Sequence, residues 1–167
     1  RMSDIGYRNK TQAGLKISVN SLAEYTDGLA SAVTTSSKEY EAIGVVVGDE
    51  YRQLSANLLQ IENEYYSAIR PKPAAAGEDS PVARFRATGV EYIEVRTLDL
   101  NMLDPVGVNQ NQLRYAEAAM IRCLLTESPH IVTGEQAEIV SRELLVACAG
   151  RMPGIEIPMN GGVAALQ

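Results

Sequence analysis

The chain has 167 residues, 46% hydrophobic and 22% charged, with a formal net charge of −6 and a sequence pI of about 4.9. The acidic balance argues against a nucleic-acid or anionic-membrane surface, which needs clustered Lys and Arg. No apolar run approaches the roughly 20 residues of a membrane span. The length suits one domain, of a size that buries about 70% of its unfolded surface, and the polar opening RMSDIGYRNK does not read as a signal peptide.

After a polar start, residues 15–19 read as a short extended piece. Ser21-x-x-Glu24 is a capping-box pattern, and Leu22, Tyr25, Leu29 and Val33 follow at helical spacing. That helix should fade in the run 34–38. EYEAIGVVVG, residues 39–48, reads as a strand, and Gly48-Asp49 as a turn into 51–54. SANLLQIENEYYSAIRPK, residues 55–72, alternates, with Leu59, Ile61 and Asn63 on one face and Gln60, Glu62, Glu64 and Tyr66 on the other, which predicts a second strand.

The stretch 71–89 holds three prolines, an Ala run and Gly77-Glu78-Asp79-Ser80, and is expected to be one long loop, either mobile surface or a lid. VEYIEVRTL, residues 90–98, predicts a strand. Its period of two puts Val90, Tyr92, Glu94, Arg96 and Leu98 on one face and aims Ile93 and Val95 at a core. Beyond the breakers Asp104-Pro105 and Gly107, two helices are expected. The first covers about 110–126 from Asn109-x-x-Gln112, with Leu113, Ala116, Met120, Cys123 and Leu124 inward. The second covers about 134–148 from Thr133-x-x-Gln136, with Val140, Leu144, Ala147 and Cys148 inward, and stops at Gly150. The Pro- and Gly-rich end, 151–167, reads as a loosely held tail. Strands before helices predict an α+β fold, a mainly antiparallel sheet with helices packed on one face.

The two cysteines are expected to be buried small hydrophobes in a reducing compartment, the cytoplasm. His130, behind Pro129 in a connector, reads as structural or solvated. One His and two separated Cys make no zinc or thiol-triad signature, which argues against nucleophilic catalysis. Chemistry concentrates instead on Glu94 and Arg96, whose positions two apart on a strand lie about 6.5–7 Å from each other. Such a pair suits a nucleotide with its metal, the acid holding Mg²⁺ and the guanidinium the phosphate oxygens. It equally suits a solvated face laced with cross-strand ion pairs. Spacing alone does not separate the two.

Four blocks occur in order: SDIGYRNKTQ, LLQIENEYYSAIRPK, GVEYIEVRTLDLN and GRMPG. Together they resemble the bacterial glutamate–cysteine ligases of gammaproteobacterial type. The resemblance runs over essentially the whole chain and is weakest at 71–88, 128–148 and the tail. The family's full enzyme is considerably longer, so the chain is expected to be a single incomplete domain from its middle portion. Ala149 stands before Gly150-Arg151 where related enzymes can carry an acid.

The resemblance implies part of the catalytic domain of a glutamine-synthetase-like ligase. Its small-molecule substrates are glutamate, cysteine and ATP, with Mg²⁺ as cofactor. An acyl phosphate on the γ-carboxylate of glutamate is captured by the amine of cysteine, the first step of glutathione synthesis. By resemblance, Glu94 is a Mg²⁺ ligand and Arg96 the catalytic, phosphate-contacting cation. Tyr66 is a wall of the cysteine pocket. Arg1 and Tyr7 receive cysteine, Arg1 answering its carboxylate, and Arg70 is a further candidate for an anionic ligand such as the nucleotide. Glu62 and Glu64 are open between site and strand-pairing roles. The remaining metal and glutamate ligands would lie in the rest of the ligase chain, so these 167 residues alone are expected to be inactive. Two other readings fit the same residues: a carboxylate–amine ligase with another acceptor, and a non-catalytic interaction domain.

Overall fold

Ser21 starts the first helix as the sequence predicts. Its Oγ accepts the Glu24 amide at 3.1 Å and donates to Glu24 Oε1 at 3.3 Å, and Ser18 Oγ donates to Glu24 Oε2 at 2.6 Å. This N-cap satisfies donors that the first turn leaves open. The helix, α1 (Leu22–Ala32), belongs to a computed structural model that describes residues 14–74, 79–159 and 162–165. Length alone suggests one domain; the chain divides into two compact units, with described residues 14–97 in the first and 98–165 in the second.

The first unit is built around α1. Tyr25, Leu29 and Ala32 face a core completed by Ile17, Leu59, Val82 and Phe85, with the rings of Tyr25 and Phe85 edge to face at 5.6 Å. Gly28 lets Ile17 lie against the helix, because a Cβ there would sit 2.9 Å from Ile17 Cγ2. The helix ends where Thr34 and Thr35 turn their hydroxyls back onto the carbonyls of Ala30 and Ser31. Its last carbonyls are satisfied from outside: the Leu59 amide reaches Ala32 O at 3.0 Å and Asn57 Nδ2 reaches Val33 O at 2.6 Å.

Two strands expected from the sequence survive only in short pieces. Residues Lys38–Ile43 form a short helix, α2. Glu39 and Glu41 in its first turn complement the positive helix start. Gly44, at φ 79°, ends it, and the Gln53 side chain donates to the freed carbonyls of Tyr40 and Gly44. Only β1 (Val46–Val47) remains extended, and it pairs with β2 (Glu50–Tyr51) across the expected Gly48-Asp49 turn. Residues 56–66 carry a single isolated bridge, Ser36 with Asn57, and a 3₁₀ turn at Glu62–Glu64. Their polar side chains serve the backbone rather than a second face. Gln60 Oε1 accepts the Leu54 amide and Glu64 Oε2 accepts the Gln60 amide, both at 2.8 Å.

The stretch expected as one loop is structured at both ends. β3 (Ile69–Lys72) runs into it, and α3 (Pro81–Thr88) closes it, with Ser80 Oγ accepting the Ala83 amide and Pro81 in the first turn. Antiparallel to β3 lies β4 (Tyr92–Val95), shorter than the nine residues of VEYIEVRTL. Arg96 still joins the ladder, its amide donating to Ala68 O at 2.8 Å. Ile93 stays 45% exposed, so the face opposite Glu94 is not sealed into a core as alternation predicts. Among the described residues no second layer covers that face of the β3–β4 ribbon; the core gathers around α1 and α3 instead.

In the second unit the capping box at Asn109 forms, Asn109 Oδ1 accepting the Gln112 amide and Gln112 Oε1 accepting the Asn109 amide, each at 2.9 Å. It opens α4 (Gln110–Leu125); α5 (Thr133–Ala149) starts one residue before the expected 134. Neither helix contains a buried residue. Leu113, Met120, Leu124, Val140 and Leu144, expected inward, are exposed, as are Cys123 and Cys148. Their apolar stripes follow helical periodicity, but no described element of this unit covers them. The end of the chain, expected loose, contains an antiparallel pair, β5 (Glu156–Met159) with β6 (Gly162–Ala165). Among the described residues every pairing between strands is antiparallel, in three two-stranded ribbons, and helices share the chain with them, so the fold is α+β. Among the described residues no helix is long and apolar enough to cross a membrane.

Candidate functional site

The β3–β4 register decides which side chains meet. Arg70 stands across from Glu94 and Lys72 across from Tyr92, so Arg70, Lys72, Tyr92 and Glu94 share one face. Arg96, two residues beyond Glu94, continues it. Arg96 Nε and Nη2 donate to Glu94 Oε2 at 2.9 and 2.6 Å, while Lys72 Nζ lies 3.3 Å from Glu94 Oε1. Each carboxylate oxygen therefore has its own cation. The Arg96 guanidinium also lies 6.0 Å from the centre of the Tyr66 ring, within cation–π reach.

The hydrogen bonds from Arg96, and then those from Lys72, hold the Glu94 carboxyl below the usual carboxylate range. Glu94 is thus an anion at neutral pH, though one whose charge is already answered from two sides. Its side chain is 33% exposed and that of Arg96 34%, so both remain open to solvent and to a ligand.

Arg70 behaves differently. It is 7% exposed, and its guanidinium turns from Glu94 to the Asn63 carbonyl, the Asn63 side-chain oxygen and the Glu62 carbonyl, at 3.1 to 3.4 Å. Burial raises the pKa of the Tyr25 phenol, against the opposing pull of the Arg70 charge. Beside it lies a cleft of about 170 Å³ with Arg70, Lys72, Arg84, Glu62, Tyr92 and Phe85 among its walls.

Of the residues singled out by sequence, Glu94, Arg96 and Tyr66 come together; Arg70 shares their face but points elsewhere. Arg1 and Tyr7 lie outside the described residues. Glu62 lines the cleft and Glu64 caps the Gln60 amide, so neither serves as a strand-pairing acid. Sequence reasoning missed Lys72. IRPK places it two residues from Arg70, but the prolines had assigned it to a loop.

Among the described residues no three His, Cys, Asp or Glu side chains cluster as a complete metal cage. Mg²⁺ is commonly held by one or two carboxylates with waters and substrate phosphates making up the rest. Glu94 fits such a shared set as one ligand.

The chain is thus an α+β fold with an open acid–cation face on its β3–β4 ribbon. The crystal structure of glutamate–cysteine ligase from Francisella tularensis in complex with AMP superposes on 99% of the chain with a TM-score of 0.87 at 32% identity, the match covering 34% of that protein. The profile of the family described as Glutamate-cysteine ligase matches residues 1–146. Glutamate–cysteine ligases of Shewanella oneidensis and Pseudomonas putida are 46% and 44% identical over 167 residues, 100% of this chain and 32% of each relative. The chain belongs to the glutamate–cysteine ligase family. It spans about a third, 32%, of the length of those curated relatives.

Proposed function

We propose that the chain supplies the phosphoryl-handling face of an ATP-dependent, cytoplasmic ligase that joins the γ-carboxylate of glutamate to the amine of cysteine. The observation that carries this reading is the open Glu94–Arg96 pair, with Tyr66 over the arginine, in a chain of this family.

In the proposed reaction the γ-carboxylate oxygen of glutamate takes the terminal phosphoryl group of ATP and ADP leaves. The cysteine nitrogen then attacks the acyl carbon, the carbon–oxygen bond to phosphate breaks, and γ-glutamylcysteine and phosphate result after loss of the amine proton. Negative charge builds on the phosphoryl oxygens in the first step, so fixed cations matter more than a protein nucleophile. Arg96 answers that charge, held in direction by Glu94 and Tyr66. Mg²⁺, when bound with the nucleotide, supplies further neutralisation of the phosphates, with Glu94 as its ligand from this chain. Tyr66 borders the cysteine pocket.

The test replaces the matching segment of the Shewanella oneidensis ligase with this chain. The chimaera should form γ-glutamylcysteine with stoichiometric release of ADP, dependent on both amino acids. A folded chimaera that hydrolyses ATP only with a different amine present would identify a ligase with another acceptor. One with no metal-dependent nucleotide affinity would leave an interaction domain.

A further inference from the structure

We infer that Oε1 of Glu94 is the oxygen this chain offers to a divalent cation, and that Lys72 is its placeholder. The ammonium guards the oxygen while the metal is away and opposes the metal's binding, so Lys72 sets the affinity of the site. The inference deepens the ligase reading and rests on it, since it takes Glu94 as a metal ligand.

The two carboxylate oxygens are not equivalent. An ionised carboxylate has about four lone-pair sites, two on each oxygen. Oε2 accepts from both Nε and Nη2 of Arg96, at 2.9 and 2.6 Å, which uses its two. Oε1 has only the Lys72 ammonium, at 3.3 Å. That is longer than the roughly 2.7–2.9 Å of a charge-assisted N–H···O bond. The looser contact therefore lies on the oxygen with capacity to spare.

The two cations also differ in how firmly they are placed. Arg96 binds as a planar fork and lies 6.0 Å from the centre of the Tyr66 ring, so letting go of Glu94 would break several contacts at once. Lys72 is a point charge on a flexible stem. It stands opposite Tyr92 in the register and reaches Glu94 along the diagonal, with a side chain 23% exposed to water. Among the described residues Glu94 is its one ion-pair partner. Such a partly exposed pair is weak and easily exchanged.

Charge makes that exchange matter. A divalent ion bound about 2.1 Å from Oε1 would lie no more than about 5.4 Å from an ammonium left at 3.3 Å. Even at the dielectric constant of water, the repulsion at that distance corresponds to about a tenfold loss in metal affinity, and salt screens part of it. Lys72 relieves it by turning to solvent, at the loss of its pair with Glu94. Either way its positive charge weakens the metal's hold.

The test measures Mn²⁺ binding to the chimaera with the Shewanella oneidensis ligase, by electron paramagnetic resonance without turnover and at low ionic strength. Lys72→Met should tighten Mn²⁺ about five- to tenfold, and Lys72→Arg, which keeps the charge, should stay within about twofold of the native residue. The Mg²⁺ concentration for half-maximal turnover should fall in step in Lys72→Met. In a Glu94→Gln background, where the ammonium has no carboxylate to guard, Lys72→Met should gain less. Lys72→Gln is measured beside Lys72→Met, with circular dichroism on both, so that misfolding of one does not hide the result. Unchanged or weaker Mn²⁺ binding in these folded variants overturns the placeholder role, while Glu94 stays a ligand as long as Glu94→Gln weakens binding. Mn²⁺ affinity indifferent to Glu94→Gln overturns both.

Discussion

Arg70 stands directly across the ribbon from Glu94 in the β3–β4 register, yet its guanidinium turns to Asn63 and Glu62 and leaves the carboxylate to Lys72 and Arg96. Register sets which Cα atoms face each other; the tips of long side chains then follow the acceptors within reach. The 3₁₀ turn at Glu62–Glu64 offers Arg70 the Asn63 and Glu62 carbonyls, and Glu94 is left to the two more exposed cations.

That division predicts a selective effect on the Glu94 titration. Its carboxyl is held low by Arg96 first and by Lys72 next. A group whose folded pKa is depressed contributes its pairing above the ordinary carboxylate range and loses it as pH falls through the lowered value. In a carbon-13 NMR titration, Arg96→Ala should move the Glu94 midpoint up towards that of a free glutamate. Arg70→Met should leave it in place. Equal upward shifts in the two variants would mean that Arg70 acts on Glu94 after all.

The elements legible in the sequence were those whose local chemistry and tertiary use agree. Ser21 with Glu24 and Asn109 with Gln112 each make the bonds that their spacing predicts, so α1 and α4 start where expected. The Glu94–Arg96 pair was legible because strand alternation is local. Residues 56–66 misled because Gln60 and Glu64 alternate like a strand face but spend their side chains on nearby amides. Prolines hid Lys72 and α3: Pro71 sits in a two-stranded ribbon, where a missing N–H is tolerated, and Pro81 sits in a helical first turn.

Stability should separate the two units sharply. Leu59 is fully buried and Phe85 is 2% exposed, both in the core around α1, whereas Leu124 on α4 is 84% exposed. Phe85→Ala should cost the first unit about 3–5 kcal/mol and Leu59→Ala about 2–5 kcal/mol. Leu124→Ala should change stability by no more than about 0.5 kcal/mol. Urea denaturation followed by far-UV circular dichroism reads all three, and a large loss in Leu124→Ala would mean that α4 has a partner in the isolated chain.

Gly28 carries a narrower prediction. Alanine is favoured over glycine within a helix by about 1 kcal/mol. Here the added methyl would meet Ile17 Cγ2 at 2.9 Å, on a branched side chain fixed in the core. Overpacking of this kind costs about 1–3 kcal/mol, which offsets or exceeds the helical gain. Gly28→Ala should therefore be neutral to destabilising in the native chain, and should cost less, or stabilise, in an Ile17→Ala background, which removes Cγ2. A double variant whose loss equals the sum of the two single effects would show that Ile17 is not the obstacle.

The ligase reading is most exposed at Glu94 and Arg96 themselves. The 167 residues alone, given ATP, Mg²⁺, glutamate and cysteine, should release no phosphate above background, because they span about a third, 32%, of the length of the curated relatives. In the chimaera with the Shewanella oneidensis ligase, Arg96→Ala should lower turnover on the order of a hundredfold or more, the scale of removing a fixed donor from developing charge. Glu94→Gln keeps a side chain able to accept from Arg96 but removes the charge. It should lower turnover and also weaken Mn²⁺ binding, measured by electron paramagnetic resonance without turnover, whereas Arg96→Ala should leave Mn²⁺ affinity unimpaired. Wild-type rates in both variants would reduce the pair to an ion pair on a solvated ribbon. Lost turnover with unchanged Mn²⁺ affinity in Glu94→Gln would instead make Glu94 a positioning residue for Arg96 rather than a metal ligand.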